Sequence, residues 1–330
     1  YWHVMVYGEF VQKPTVKLCE LLSKNLPKSL SNTYLTNSGT EAIEAAMKLA
    51  KRDTGRSKII GAKNGYHGNT QGAMSIMGFE ERKRAYRPLL PNIDFIEFNN
   101  EKDIEKIDYQ TAAVVLETIQ GGAGFLIPKN NYLKKIRKKC NEVNALLILD
   151  EIQPGMGRTG KLFAFEHYEI VPDILVYGKG LGGGFPIGAL SSSKEKMKLF
   201  KEKPALGHIT TFGGHPVIAA AALANLKETL NSGVMKKIAQ KENLIRELLC
   251  HELILEVRGK GLMLALIMKN TTIANTLVKK CLHEGLILFW LLFESKAVRI
   301  TPPLTISKTE IKLGCKIILD VLNKINNSVN

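Results

Sequence analysis

Cysteines are few and widely separated in this sequence. The five are Cys19, Cys140, Cys250, Cys281 and Cys315, and no two of them have the C-x-x-C spacing. An odd number of dispersed cysteines argues against a disulfide framework and against a zinc site, because both need closely grouped thiols. We therefore expect reduced thiols, no metal centre and a protein of the cytoplasm.

Long apolar runs are also absent. A helix needs about 20 consecutive apolar residues to cross a bilayer, and no run of that length occurs, so we expect no membrane partner. The opening segment YWHVMVYGEF lacks the basic region and apolar stretch of a signal peptide. It is typical of the interior of a domain, and we expect that residues upstream of Tyr1 are missing from this chain.

Negative charge is scarce relative to positive charge, and the formal net charge is +15. A nucleic-acid-binding protein would cluster its lysines on one face, with aromatic or arginine partners. Here the lysines are scattered, and the densest run, KKIRKKC at 134–140, fits the solvated face of a helix. We predict no nucleic-acid partner. A positive field that attracts anionic substrates would explain the net charge. A compositional bias of the genome would explain it equally well.

Helical patterns alternate with short apolar runs between about residues 40 and 190. The helical stripe is clearest in GTEAIEAAMKLAKRDTG at 39–55, with apolar residues spaced by three and four. The apolar runs are KIIGA (58–62), IDFIEF (93–98), AAVVLE (112–117), ALLILD (145–150) and DILVYGK (173–179). Runs of this kind, separated by helices, predict strands buried on both faces of a mainly parallel sheet, in an α/β fold.

The remainder of the chain predicts a second, smaller unit. An alanine-rich helix covers 216–230, and the last hundred residues mix helical patterns with strand patterns. We predict an N-terminal segment at 1–14, a large domain at 15–230 and a small α+β domain at 231–330.

Polar side chains end three of the apolar runs: Glu117, Asp150 and Lys179. Ligands of parallel α/β sheets bind outside the carboxyl ends of the strands. These three residues therefore indicate a site at one edge of the sheet.

A possible anion site precedes the first helix of the large domain. The residues Asn-Ser-Gly-Thr at 37–40 open directly into that helix, where free backbone N–H groups favour a phosphate. The same pattern is an ordinary helix cap. Asp150 alone fits a cap, a metal ligand or a charge partner. Pyridoxal phosphate needs a phosphate site, a carboxylate and a lysine together, because the lysine forms a Schiff base and the carboxylate pairs with the ring nitrogen.

The chain resembles the class III aminotransferases, the subgroup of fold-type I pyridoxal phosphate enzymes that includes ornithine, acetylornithine and 4-aminobutyrate aminotransferases. The matching stretches occur in the family's order across nearly the whole chain: NSGTEA (37–42), GYHGNTQGAMS (65–75), ETIQGGAG (117–124), LILDEIQPGMGRTG (147–160), DILVYGKGLGGGFPIGA (173–189), TTFGGHP (210–216), EVRGKGLM (256–263) and VRITPPL (298–304). The resemblance implies a mainly parallel seven-stranded sheet in the large domain and a homodimer.

The resemblance implies four roles around the cofactor ring. Lys179 binds the cofactor and shuttles a proton, and the glycines after it let the backbone approach the cofactor. Asp150 keeps the pyridine nitrogen protonated. Gln153 bonds the ring's 3-oxygen, and Tyr66 stacks on one face.

The resemblance also implies how the anionic groups are held. Ser38, Gly39 and Thr40 hold the phosphate, and Thr211 reaches the phosphate of the neighbouring subunit's cofactor. Arg299, in VRITPPL, binds the substrate's α-carboxylate, which suits a planar guanidinium.

Two positions depart from the pattern of the ornithine-type and 4-aminobutyrate-type members. Asn69 stands where they have an arginine that grips a second carboxylate, and Gly122 stands where they have a glutamate that masks the arginine corresponding to Arg299. Both departures argue against a straightforward ornithine or 4-aminobutyrate specificity.

The expected reaction moves an amino group from an amino acid or ω-amine of the ornithine and acetylornithine class to an oxo acid such as 2-oxoglutarate or pyruvate. An aminomutase of the glutamate-1-semialdehyde type, a decarboxylase or a racemase of the same fold is the close alternative. A phosphate-binding scaffold or nucleic-acid binder would explain the glycines and the charge, but not Lys179, Asp150 and Gln153 in this order.

Overall fold

The computed structural model describes residues 10–327 of the chain. Residues 1–9 of the predicted N-terminal segment, and 328–330 at the end of the predicted small domain, lie outside the described residues. Within the described part, none of the helices combines the length and the apolar composition needed to cross a bilayer.

The strands are β1 (Asn32–Thr36), β2 (Lys58–Ala62), β3 (Ile93–Ile96), β4 (Thr111–Glu117), β5 (Leu146–Asp150), β6 (Ile174–Gly178), β7 (Gly188–Ser192), β8 (Ile254–Lys260), β9 (Met263–Met268), β10 (Phe289–Trp290) and β11 (Ala297–Ile300). The helices are α1 (Lys13–Lys24), α2 (Gly39–Thr54), α3 (Gln71–Ser75), α4 (Tyr132–Val143), α5 (Lys194–Lys198), α6 (Pro216–Asn231), α7 (Ile238–Leu248), α8 (Thr271–His283) and α9 (Lys308–Asn326).

The first seven strands form one sheet in the order β1-β7-β6-β5-β4-β2-β3. The five predicted apolar runs correspond to β2 to β6, which pair in parallel. The predicted mainly parallel, seven-stranded α/β architecture is therefore confirmed. β7 pairs antiparallel with both β6 and β1, and neither β1 nor β7 is marked by an apolar run in the sequence.

The central strands are apolar throughout because both faces of the large sheet are covered. Successive residues of β4 belong to different cores: Val114 and Leu116 pack with α1, α4 and α6, whereas Ala113 and Val115 pack with α2. This alternation follows from the two-residue period of a strand. It explains why the β4 run is apolar without interruption.

The last four strands form a separate antiparallel sheet in the order β10-β11-β9-β8. Leu264 and Leu266 of β9 pack with α7, α8 and α9 on one face. Met263 and Ala265 face the other way and join a small core with Phe125, which follows β4. The sheet is thus buried between three helices and the loops of the large sheet. The domain boundaries at 14/15 and 230/231 stay predictions; α1 begins at Lys13 and crosses the first of them.

Candidate active site

Lys179 follows the last residue of β6, at the carboxyl edge of the large sheet. Its backbone has φ +40°, a region that residues with a side chain rarely adopt, and such strain is concentrated at functional sites. The glycines after it do not line the cavity around Asp150. Gly183 and Gly184, with φ of +57° and +106°, instead turn the chain back toward antiparallel β7. The expected close approach of this segment to a cofactor stays a prediction.

Asp150 ends β5 and is buried. Its Oδ2 lies 2.8 Å from Nδ1 of His67, and its Oδ1 accepts a hydrogen bond of 2.9 Å from the Ile152 N–H. Burial lowers the pKa of His67, but the hydrogen bond and charge of Asp150, with the charge of Glu117, raise it above its usual value overall. These contacts fix the orientation of the Asp150 carboxylate.

Glu117 ends β4, directly beside Asp150 in the sheet register. Its carboxylate accepts hydrogen bonds from the N–H of Tyr66 at 3.0 Å and from the N–H of Gly121 at 2.8 Å. Burial raises the pKa of Glu117 to about 7, although the charge of His67 opposes the shift. The side chain thus holds the loops that carry Tyr66 and Gly121 in place.

The N-terminus of α2 supplies the third part of the site. Ser38 is the N-cap, and its Oγ accepts a hydrogen bond of 3.4 Å from the Glu41 N–H. Gly39 opens the helix at a place where a Cβ atom would lie 2.6 Å from Cδ1 of Ile152. The hydroxyl groups of Thr40 and Thr70 lie 2.7 Å apart. Helix N-termini carry N–H groups without intrahelical acceptors, which suits an anion.

One cavity of about 420 Å³ brings these parts together. Of the residues predicted from sequence, it is lined by Gly39, Thr40, Tyr66, Asp150, Gln153, Lys179 and Arg299. Ser38 and Thr211 are not among its lining residues. Ser38 lies beside the cavity as the cap of α2, and Thr211 is exposed in a loop before α6.

A second cavity of about 610 Å³ shares Ile152, Gln153 and Lys179 with the first. Its other lining residues come mainly from the loop after β5, from α6 and the segment that follows it, and from the segment after β11. It contains neither the N-terminus of α2 nor Asp150, so the smaller cavity is the candidate active site.

Arg299 of β11 brings the small sheet to the candidate site. It pairs with Phe289 of β10, and its guanidinium carbon lies 5.1 Å from the centre of the Phe289 ring. The two residues that depart from the sequence pattern, Asn69 and Gly122, line the same cavity. A Cβ atom at Gly122 would lie 2.6 Å from Cδ2 of Phe293. The Phe293 ring therefore occupies the space that a side chain at position 122 would need.

Sequence reasoning missed two features of the site. His67 lies in the stretch GYHGNTQGAMS, where the sequence alone indicates no more than support of the loop beneath Tyr66, yet it contacts Asp150 directly. Segment 289–292 was not singled out at all, although its four residues line the cavity. The signal in the sequence is LILFWLLF at 286–293, an apolar run that β10 alone, a two-residue strand, does not explain.

Comparisons with known proteins agree with the fold. The family model for Aminotransferase class-III matches residues 1–322. The chain is 40% identical over 329 residues to the putrescine aminotransferase of Pectobacterium atrosepticum, covering 94% of this chain and 70% of that protein. It is 38% identical over 322 residues to the acetylornithine aminotransferase of Caldanaerobacter subterraneus subsp. tengcongensis, covering 94% of this chain and 80% of that protein.

Solved structures give the same result. The ornithine aminotransferase of Toxoplasma gondii superimposes with a TM-score of 0.90 at 29% identity, over 98% of this chain and 79% of that chain. That structure has pyridoxal phosphate partially occupying its active site. A transaminase from the marine bacterium Virgibacillus superimposes with a TM-score of 0.92 at 25% identity, over 99% of this chain and 82% of that chain.

The large sheet, with a lysine and a carboxylate at its carboxyl edge, is that of a fold-type I pyridoxal phosphate enzyme. Since the family model covers nearly all of it, the chain belongs to the class-III aminotransferase family and is a pyridoxal phosphate-dependent aminotransferase.

The residues present fit this cofactor. Gly39 and Thr40 bring the N-terminus of α2 to the cavity, and Asp150 is a fixed carboxylate in the same cavity. Lys179 lines that cavity too, and among the residues that the structure describes it has no ion-pair partner. The N-terminus of α2 would suit the phosphate of the cofactor, Asp150 its pyridinium nitrogen and Lys179 its aldehyde.

Proposed function

We propose that Lys179 is the lysine that binds pyridoxal phosphate and that Asp150 pairs with the ring nitrogen. The observation that supports this proposal is that Lys179, Asp150 and the N-terminus of α2 line one cavity. Ser38, Gly39 and Thr40 would hold the phosphate there. Tyr66 would stack on the ring, and Gln153 would bond its 3-oxygen.

The cofactor, when bound, withdraws electrons from the amine-bearing carbon of the substrate, so that a proton can leave this carbon. Nζ of Lys179 would be free once the donor amine has taken its place. It would take the proton from the substrate carbon as a general base and donate it to the cofactor as a general acid. Asp150 would face the ring nitrogen in a fixed orientation because His67 and the Ile152 N–H contact its two oxygens.

Arg299 would bind the α-carboxylate of the oxo acid, such as 2-oxoglutarate or pyruvate, that accepts the amino group. A planar guanidinium holds a carboxylate through two parallel hydrogen bonds. The donor would be an amino acid or ω-amine, as the names of the putrescine and acetylornithine relatives suggest. Asn69 and Gly122 argue against the specificity of ornithine or 4-aminobutyrate enzymes.

We also propose a homodimer in which Thr211 reaches the phosphate of the partner's cofactor. Thr211 is exposed and lies outside its own cavity, and the neighbouring Ile209 and Phe212 are 66% and 55% exposed. Exposed apolar side chains grouped in this way are typical of an interface. We further place the protein in the cytoplasm, which its five free cysteines support.

The visible absorbance spectrum tests the cofactor and the reaction. The chain and its Lys179→Ala variant are each mixed with pyridoxal phosphate, and amino donors are then added singly. We expect an absorbance band in the wild type that the variant lacks, loss of the band with one donor, and its return with 2-oxoglutarate or pyruvate. A band that no donor and acceptor pair cycles would favour the aminomutase or the decarboxylase. Absence of any Lys179-dependent band would overturn the assignment.

A further inference from the structure

The substrate end of the active site has an apolar wall, which we define as the segment Phe289–Leu292. All four residues line the cavity. Phe289, Trp290 and Leu292 are 52%, 37% and 42% exposed, so their apolar surface is available to a bound molecule. Burial of such surface favours binding in proportion to the area removed from water.

The apolar wall is held in place at both ends. Trp290 Nε1 donates a hydrogen bond of 2.7 Å to Oδ1 of Asn275 in α8. The N–H of Phe293 donates a hydrogen bond of 2.9 Å to the Gly122 carbonyl oxygen. The Phe293 ring stacks on Phe79, with 4.7 Å between ring centres. The wall is therefore preformed and does not have to be ordered by the substrate, which lowers the cost of binding.

Charges that could meet a second polar group on the donor are already engaged. Among the described residues that line the cavity, the carboxylates are Glu117 and Asp150, and all four of their oxygens accept hydrogen bonds or contact His67. The cations are Lys179 and Arg299, which the proposed function assigns to the cofactor and to one carboxylate. Asn69 is neutral. A distal ammonium or a second carboxylate would thus lose water without gaining an opposite charge.

We propose that the preferred amino donors are primary amines and amino acids whose chain ends in an apolar group, and that the apolar wall binds this chain. The inference rests on the proposed function and adds the donor class to it. The amino group and a hydrogen of the donor are exchanged for the oxygen of the oxo acid. The donor carbon is oxidised to a carbonyl and the oxo acid is reduced to an amino acid, with no further reactant.

A pair of isosteric amines tests the wall. Hexylamine and 1,5-diaminopentane differ only in a terminal methyl against a terminal ammonium. The protein loaded with pyridoxal phosphate is mixed with each amine, and the rate of band loss gives kcat/KM for the donor half of the reaction. We expect kcat/KM to rise about fourfold per methylene from propylamine to hexylamine. We expect hexylamine to exceed the diamine by about tenfold or more.

A substitution in the wall should change this preference. Leu292→Asp places a carboxylate beside the donor chain and should lower the ratio of hexylamine to diamine by about tenfold. Leu255→Asp is the matched control, because Leu255 is 60% exposed in a part of β8 that does not line the cavity. The control should keep the wild-type ratio, and the absorbance band before donor addition should be the same in all three proteins.

The outcomes separate the inference from the proposed function. A wild type that prefers the diamine, or a ratio that Leu292→Asp leaves unchanged, overturns the donor class while the band and its cycling still support aminotransfer. A wild type whose band responds to no amine or amino acid overturns both. If Leu292→Asp and Leu255→Asp lower the ratio of hexylamine to diamine equally, the effect comes from the added charge alone. This result also overturns the proposal that the apolar wall binds the donor chain.

Discussion

Glu151 is a buried carboxyl group that lies next to the candidate site without lining it. It accepts hydrogen bonds from the Thr118 hydroxyl at 2.7 Å, the Phe165 N–H at 2.7 Å and the Ala164 N–H at 2.8 Å. Burial raises its pKa from 4.5 to about 7 and outweighs these bonds, which act in the opposite direction. The residue ties the end of β5 to the loops after β4 and before β6.

The raised pKa of Glu151 makes stability depend on pH. Between pH 4.5 and about 7 the folded protein holds a proton at this carboxyl group that the unfolded chain has released. The free energy of unfolding therefore falls as the pH rises through that interval, by at most about 1.4 kcal/mol per pH unit. Above about pH 7 both states are ionised and the loss is complete.

Glu151→Gln should remove this pH dependence, because glutamine does not ionise. The variant loses an acceptor at every pH, so it should be less stable than the wild type throughout. Its deficit in the free energy of unfolding should be larger at pH 5 than at pH 8, by about 2 kcal/mol. Denaturant unfolding at both pH values measures it, and a deficit that is the same at both would contradict the prediction.

Single residues could be predicted from the sequence where their place in the chain determines their place in space. Asp150 and Lys179 follow apolar runs, and parallel strands bring their carboxyl ends to one edge, as the cavity shows. The contact of His67 with Asp150 joins residues 83 positions apart, from a loop whose path no pattern in the sequence specifies. That contact could only be seen in the structure.

At the scale of elements, the small sheet meets the large one where Phe293 lies over Gly122. The two residues share a backbone hydrogen bond of 2.9 Å, and the ring leaves no room for a Cβ atom at position 122. Phe293 is fixed from its other side by the stacked ring of Phe79. The packing of the two sheets near the site thus depends on a glycine at this position.

Gly122→Ala should lower the free energy of unfolding by about 1–3 kcal/mol, as overpacking of a fixed core does. In a Phe293→Ala background the same change should cost close to nothing, since the ring that obstructs the new Cβ atom is gone. Thermal or denaturant unfolding of the four proteins of this double-mutant cycle measures the coupling. An equal cost in both backgrounds would show that the ring is not the obstacle.

Gly314→Ala is the control for that cycle, and we expect it to raise the free energy of unfolding where Gly122→Ala lowers it. Gly314 lies within α9, and a Cβ atom there would come no closer than 3.7 Å to Leu286. Alanine in a helix is favoured over glycine, so this variant should be more stable by about 0.5–1 kcal/mol.

Elements with a clear hydrophobic pattern could be predicted from the sequence, and the others could not. β2 to β6 are recognisable as apolar runs because their alternate residues pack into two different cores. β1, with the sequence NTYLT, is a polar edge strand, and β7 is rich in small residues. Neither strand has a hydrophobic pattern that distinguishes its sequence from that of a loop. Their antiparallel pairing follows from the turn after Lys179.

At the scale of the whole molecule, the proposed homodimer with shared sites predicts how mixed subunits behave. Lys179→Ala removes the lysine proposed to bind the cofactor, and Thr211→Asp would set a negative charge against the phosphate of the partner's cofactor. Each variant alone should be inactive. A dimer of one subunit of each kind has one site with both Lys179 and Thr211, so a co-refolded equal mixture should recover about a quarter of wild-type activity.

The recovery of activity requires that the two variants exchange subunits, so a mixture in which no exchange occurs is the control. The same two proteins mixed without refolding should stay inactive, and the size of the particles should be that of a dimer in every sample. Hybrid dimers that form and remain inactive would show that Thr211 does not serve the partner's site.

The groups that would hold the cofactor and the apolar wall that would bind the donor chain belong to different sheets. Ser38, Asp150 and Lys179 follow β1, β5 and β6 of the large sheet, whereas the apolar wall and Arg299 belong to β10, β11 and the segment between them. We therefore expect mutations in the second group to leave the first intact. A lineage with this architecture could then acquire new substrates while it retains its coenzyme.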